Sequence, residues 1–221
     1  MALHPKLNTA LFQNKLRFEW EAWGRGKQRV AGLDEVGRGP LAGPVVAACV
    51  LLSKDLFSRP LPEYFKFIDD SKKISPAKRS ELSGLLCAQQ GLEFAIGIVE
   101  SPLIDQINIL EATRLAMQKA VAGLTISPDH LLIDGNQKLP AVRIEQTTIV
   151  KGDSLSWAIG AASIVAKVTR DALMKNYEIE YPQYGFAKHK GYGTQAHLES
   201  LRKHGPCPIH RKSFAPMAVA V

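Results

Sequence analysis

The run "RVAGLDEVGRGPLAGPVVAACVLL" narrows the choice of fold more than any other stretch of the chain. Residues 29–34 and 45–52 are apolar and rich in β-branched side chains, which predicts two strands. The Gly/Pro-rich linker "GRGPLAGP" between them turns the chain. Two acids, Asp34 and Glu35, close the first run, and Gly37-Arg38-Gly39 follows at once. Strand alternation sends neighbouring side chains to opposite faces. Using both acids at one point therefore calls for a strand end or a bulge.

The rest of the chain supplies helices and strands in alternation. Leu11, Phe12, Leu16, Trp20 and Trp23 recur near helical spacing, which predicts an amphipathic helix over 8–23, opened by Asn8 or Thr9. Ser75-Pro76 is a cap followed by a first-turn proline, starting a helix that runs to about Gln90. "LEFAIGIVE" is the next strand. Ser101-Pro102 begins a helical region that reaches Ala122 and stops at Gly123. "HLLID" and "AVRIEQTTIV" read as strands. After Gly152-Asp153, "SLSWAIGAASIVAKVTRDALMKNYEIEY" has no breaker beyond one glycine and predicts a single long helix. Thr194 caps a short helix that ends at Gly205. Three early strands and then alternating helices and strands predict an α/β layered domain, a mixed central sheet flanked by helices. Near Pro182 the composition turns basic, aromatic and Gly-punctuated. The expected organisation is an N-terminal helical segment over 1–27, a catalytic domain over 28–181, and a small C-terminal helical appendage over 182–221.

Composition excludes several classes. The chain has 221 residues, 46% of them hydrophobic and 22% charged, enough to bury a core and too apolar for disorder. It contains no apolar run of ~18 residues, and its N-terminus does not read as a signal peptide, so a cytoplasmic protein is expected. Cys49, Cys87 and Cys207 are odd in number and lack zinc or redox spacing, which fits reduced thiols. Lys and Arg outnumber Asp and Glu by 28 to 21, a formal charge of +7 that favours polyanionic partners. Much of that charge comes late, at Lys188, Lys190, Arg202, Lys203, Arg211 and Lys212, interleaved with His189, His204 and His210.

Asp34, Glu35 and Asp134 stand at the ends of apolar strands or their exits, and Asp153 follows the strand "TTIV". Strand ends with turns are where ligands collect in α/β sheets. An Asp after a strand also serves as a turn former or a helix cap. Adjacent acids with apolar flanks are costly unless a cation neutralises them. Carboxylates without Cys or His partners suit hard cations, Mg²⁺ or Mn²⁺. Two such ions ~3.5–4 Å apart can activate water and stabilise a leaving oxygen in phosphodiester hydrolysis. Asp171 is a rival fourth acid. On a continuous helix it lies roughly 27 Å beyond Asp153, and Lys175 at i+4 suggests a surface ion pair instead. In Gly37-Arg38-Gly39, two positions without Cβ flank a cation, and backbone groups there can approach a ligand closely. A sugar 2′-hydroxyl, both donor and acceptor, is one such ligand.

The motifs "AGLDEVGRGPLAGPVVAA", "DDSKKIS", "LIDGN", "IVKGDS", "GAASIVAKVTRD", "YPQYGFAKHKGYGT" and "HRKSF" occur in that order over roughly residues 29–215. Together they resemble the bacterial ribonuclease HII family. The resemblance implies a ribonuclease H-like fold with a C-terminal helical segment. It implies a metal-dependent endonuclease that hydrolyses the RNA strand of RNA–DNA hybrids. Such an enzyme also incises 5′ of single ribonucleotides in duplex DNA, leaving 3′-hydroxyl and 5′-phosphate ends, in ribonucleotide excision repair and primer removal. Carried over by motif, the metal-binding catalytic acids fall on Asp34, Glu35, Asp134 and Asp153, and the ribose-reading turn on Gly37, Arg38 and Gly39. The tyrosine that packs on the sugar at an RNA–DNA junction falls on Tyr192. A phosphate-contacting lysine falls on Lys72. A monomer is expected. The related ribonuclease HIII typically carries an added N-terminal domain, whereas 33 residues precede Asp34 here. A non-catalytic hybrid-binding module fits less well, because four acids repel phosphate unless metal is bound.

Overall fold

The computed structural model describes residues 14–58 and 61–215. The expected helix start at Asn8 or Thr9, with Leu11 and Phe12, lies outside them. Along the described chain run α1 (Arg17–Gly24), β1 (Arg29–Val36), β2 (Val45–Ser53), α2 (Pro76–Ala88), β3 (Leu92–Val99) and α3 (Ser101–Ala122). There follow β4 (His130–Asp134), β5 (Glu145–Ile149), α4 (Gly152–Leu155), α5 (Trp157–Glu180), α6 (Phe186–His189) and α7 (Gln195–His204).

The strands form one sheet in the order β3-β2-β1-β4-β5. β1 pairs antiparallel with β2, and β2 with β3, while β4 is parallel to both β1 and β5. The expected mixed sheet flanked by helices is what forms. Helices cover both faces, which explains the unbroken apolar character of "VVAACVLL": every residue from Val45 to Leu52 is buried. On one face Val30, Ala48, Val50, Leu52 and Leu132 pack with α5 residues Trp157, Ala161, Ile164 and Val165. On the other, Ala31, Leu33, Ala47, Cys49, Leu131 and Ile133 pack with α3 residues Ala112, Ala116 and Ala120. Approach is closest at glycines. A Cβ at Gly32 would collide with the Ala158 backbone, and one at Gly97 with the Ala116 carbonyl. No helix among the described residues is long and apolar enough to cross a membrane.

Three sequence expectations change. β1 does not end at Asp34 but continues through Glu35 to Val36, because β2 keeps pairing with it as far as Val36↔Val46. β5 is shorter than "AVRIEQTTIV", with a turn at 140–141 before it. The long helix after Gly152 is broken at Ser156, whose backbone is extended (φ −119°, ψ 134°). The break is built by distant residues. The Ser156 hydroxyl accepts from the Ile159 N–H at 3.2 Å and donates to Glu19 Oε1 at 2.7 Å. The same Glu19 oxygen accepts from the Ala158 N–H at 2.9 Å. A serine and a buried carboxylate thus satisfy the N-terminal donors of α5, where the helix dipole also favours a negative charge.

The C-terminal stretch packs on a small core of Ala42, Met174, Tyr184, Phe186, Cys207 and Ile209. That core borrows from the turn after β1 and from α5. Residues 209–211 lie antiparallel to 41–43, bridged at Ala42↔His210.

Candidate active site

β4 pairs with β1 only as far as Leu33↔Ile133, so Asp34 and Asp134 follow side by side where the two strands part. Alternation holds for the adjacent acids. Asp34 falls on the α5 face with Val30 and Gly32, beside Ser163. Glu35 falls on the α3 face with Ala31 and Leu33. There it lines a cleft of about 150 Å³ with Arg38, Thr113, Arg114, Asp134, Asn136 and Lys138. The strand end thus lets two opposite-facing acids share a third. Asp134 is held by its Oδ1, which accepts from the Gly152 N–H at 2.7 Å. Lys151 is left-handed (φ 59°), which turns the chain from β5 into α4 and brings Asp153 to the same end of the sheet.

Burial and neighbouring charge raise three of the acids. Burial holds the Asp34 carboxyl well above the usual carboxylate range, and the Glu35 and Asp134 charges push it further. Glu35 is raised by burial, opposed by the Arg38 guanidinium, 3.3 Å away, and reinforced by Asp134. Asp153 is raised by burial and then by the charges of Asp70 and Asp134, with Lys72 opposing. As the side chains stand, no three His, Cys, Asp or Glu among the described residues close a metal shell. The donor set nevertheless fits a hard divalent cation. It is all oxygen, it is buried at Asp34 and half-buried at the other three, and its members repel one another, which a bound cation would relieve. Asp171 lies outside this group. Its carboxylate meets Lys167 at 2.8 Å and the buried Arg79 at 3.5 Å, rather than the expected Lys175.

The Gly-Arg-Gly turn lies directly beyond the acids. Gly37 must be glycine, because its φ is +93° and a Cβ would run into the Arg170 side chain. Gly39 is different. It is exposed, its φ is ordinary, and nothing stands within 4 Å of a built Cβ, so the fold itself does not demand glycine there. Tyr192 is 43% exposed, and its segment is tied to the turn by the Leu41 N–H donating to the Gly191 carbonyl at 2.8 Å. Lys72 is exposed and within electrostatic reach of Asp153.

Two arginines that carried no role in the sequence reading hold this loop from below. Arg211, counted there among the late basic residues, is fully buried. Its guanidinium donates to the carbonyls of Gly37 (2.5 Å), Arg38 (2.9 Å) and Gly43 (2.7 Å). Arg170, also fully buried, donates to Pro44 (2.9 Å), Lys190 (3.0 Å) and Ala42 (3.1 Å). Burial, with Arg170 nearby, pulls Arg211 down to about 9. Ala162, Ala166, Arg170 and Met174 recur every four residues along one buried stripe of α5, and that spacing is the signal that could have marked Arg170 as buried. Asp70 and Ser163, which bear on Asp153 and Asp34, were given no part in the site from sequence.

A mixed sheet in this strand order, with carboxylates gathered where its two central parallel strands part, defines a nuclease of the ribonuclease H-like fold. Solved structures share that fold. The ribonuclease H2 of Pyrococcus horikoshii OT3 superposes with a TM-score of 0.69 at 26% identity, covering 86% of this chain and 96% of that one. The Mn²⁺ complex of Bst-RNase HIII gives 0.66 at 17% identity, covering 88% and 69%. The family model described as Ribonuclease HII matches residues 31–217. Ribonuclease HII of Chlamydia caviae is 50% identical over 215 residues, covering 96% of this chain and 95% of its own length. That of Geotalea uraniireducens is 52% identical over 199 residues, covering 90% and 88%. This chain belongs to the ribonuclease HII family: it is a divalent-metal-dependent ribonuclease H, an endonuclease of RNA–DNA hybrids.

Proposed function

We propose that this enzyme, besides cutting RNA–DNA hybrids, incises duplex DNA on the 5′ side of a single embedded ribonucleotide, leaving 3′-hydroxyl and 5′-phosphate ends. One observation carries the reading. The acids, a turn whose exposed Gly39 leaves open space, and the exposed Tyr192 segment all meet at one end of the sheet. A hydroxyl-bearing sugar held by the turn places its phosphate toward the acids.

Asp34, Glu35, Asp134 and Asp153 would hold Mg²⁺ or Mn²⁺. Bound there, the metal supplies charge neutralisation at the scissile phosphate and an activated water. The backbone of Gly37, Arg38 and Gly39 reads the 2′-hydroxyl, which donates and accepts at once and so tells RNA from DNA. Arg38, exposed beside Glu35, adds positive charge where the phosphate approaches. Lys72 contacts a backbone phosphate. Tyr192 packs on the sugar beside the ribonucleotide and senses the junction with DNA. The enzyme acts as a cytoplasmic monomer in ribonucleotide excision repair and in removing RNA primers.

The test is cleavage of a duplex holding one ribonucleotide, with and without divalent metal, and with the product ends mapped. Asp34→Asn and Asp134→Asn should abolish cleavage while duplex binding persists. Asp153→Asn should lower turnover by orders of magnitude, whereas Asp171→Asn should lower it far less. Near-normal turnover of Asp34→Asn at saturating Mg²⁺ overturns the metal assignment. The reverse ranking of Asp153 and Asp171 overturns the fourth acid.

A further inference from the structure

Behind Tyr192 lies a cluster of imidazoles that neither the acids nor the turn uses. His197 and His210 are buried, and their Nε2 atoms lie 3.1 Å apart. His197 Nδ1 lies 2.9 Å from the Tyr192 carbonyl, and His210 Nδ1 lies 2.9 Å from the Cys207 backbone nitrogen. The nearest partners assign the protons, the Cys207 carbonyl lying farther from His210 Nδ1 (3.3 Å) than the Cys207 N–H does (2.9 Å). A carbonyl only accepts, so His197 Nδ1 carries a hydrogen. A backbone N–H only donates, so His210 Nδ1 offers its lone pair. With both rings neutral, His210 Nε2–H must donate to His197 Nε2. The result is a one-way chain: Cys207 N–H to His210, His210 to His197, His197 to the Tyr192 carbonyl.

The neutral state this chain needs is the one the surroundings favour. Burial lowers both imidazoles, His210 to about 4. The titratable groups facing them are His189, stacked on His197 at 4.4 Å, Cys207, whose sulfur is 3.1 Å from His210 Nδ1, and Tyr184, whose ring meets His210 at 4.9 Å. His189 obeys the same logic, accepting from the Gly191 N–H at 3.2 Å and facing the Tyr184 carbonyl at 2.7 Å.

His210 is followed by Arg211. One residue reaches through His197 to Tyr192, and the next grips the carbonyls of Gly37 and Arg38. We infer that His197 and His210 are positioning residues for ribonucleotide recognition: from a segment locked to the Gly-Arg-Gly turn, they set where Tyr192 stands relative to that turn. The inference rests on the proposed role of Tyr192 at the sugar.

The experiment compares kcat/KM on two substrates, a duplex with one ribonucleotide and a long RNA–DNA hybrid, together with melting temperatures. His197→Phe keeps a ring but has no donor for the Tyr192 carbonyl. His197→Asn places an amide N–H close to where Nδ1–H was. Tyr192→Ala should weaken single-ribonucleotide cleavage about tenfold or more and hybrid cleavage less, since sugar or base stacking is worth that much. His197→Phe should show the same selective loss, His197→Asn should largely restore selectivity, and His197→Phe/Tyr192→Ala should lose no more than Tyr192→Ala alone. Equal losses on both substrates in His197→Phe, tracking its melting temperature, overturn the positioning role while leaving Tyr192 as reader. Additive losses in the double variant overturn it likewise. An unselective Tyr192→Ala removes the reading of Tyr192 itself, and this inference with it.

Discussion

Glu19 is completely buried, and burial pushes its carboxyl up to about 7 against donors from Ala158 and Ser156 that pull the other way. Its second oxygen meets no hydrogen-bond partner among the described residues. A folded value above the ordinary 4.5 means that the unfolded chain loses its proton first as pH rises. Glu19 therefore supports the fold fully below about pH 4.5, and that support drains away up to about pH 7. The gap corresponds to roughly 3 kcal/mol. Glu19→Gln keeps an oxygen for Ala158 and Ser156 and cannot titrate. Denaturant unfolding of both proteins at pH 5 and pH 8 should show the variant gaining on wild type at the higher pH. Parallel pH profiles would mean that Glu19 keeps its charge in the fold. Nothing in "RFEWEAW" announces this residue, because its partners lie 137 and 139 residues away.

At the level of elements, α5 is the member that most directly couples fold to site. It crosses β1 at Gly32, carries Ser163 toward Asp34, and begins where α4 presents Asp153. Gly32→Ala puts a methyl group into the Ala158 backbone, which cannot yield as a flexible side chain would. Overpacking of this kind typically costs about 1–3 kcal/mol, and the helix must shift as a unit. The variant should lose that much stability in urea and should also lose turnover, since Asp34 and Asp153 flank the displaced helix. A stable Gly32→Ala with normal turnover would show that α5 can slide without disturbing the acids. The strands were legible in the sequence because strands buried on both faces leave continuous apolar runs, as "VVAACVLL" does. The capped helices at Ser75 and Thr194 were legible because cap and helix are local, their hydroxyls accepting from Lys78 and His197. The break at Ser156 was not, since serine ends a helix only where something holds it, and what holds it is Glu19.

The whole molecule carries a formal charge of +7, yet part of that charge never reaches solvent. Arg170 and Arg211 hold carbonyls inside the protein, which leaves phosphate contact to exposed cations, Arg38 and Lys72 among those proposed. Hybrid affinity should fall linearly with salt on logarithmic axes. Lys72→Ala should weaken binding at low salt and flatten the slope by about 1, the contribution of one phosphate contact. An unchanged slope would take Lys72 off the nucleic-acid path. Which arginines are free could not be read from the chain alone. "HRKSF" reads as surface charge until the turn from β1 folds over it, and carbonyl acceptors leave no mark in sequence. The proposed acids were easier to single out, because Asp34, Glu35 and Asp134 close apolar runs and Asp153 follows one.

Arg211 reaches back across 174 residues to the carbonyl of Gly37. Contacts of such long sequence separation close slowly, after local pairings such as β1 with β2. As the chain leaves the ribosome, Asp34 and Glu35 emerge early, while the clamp that shapes their neighbouring turn is made close to the end. A nascent chain therefore carries its acids long before the neighbouring turn is clamped, and on the proposed reading of that turn, telling RNA from DNA must wait until Arg211 docks.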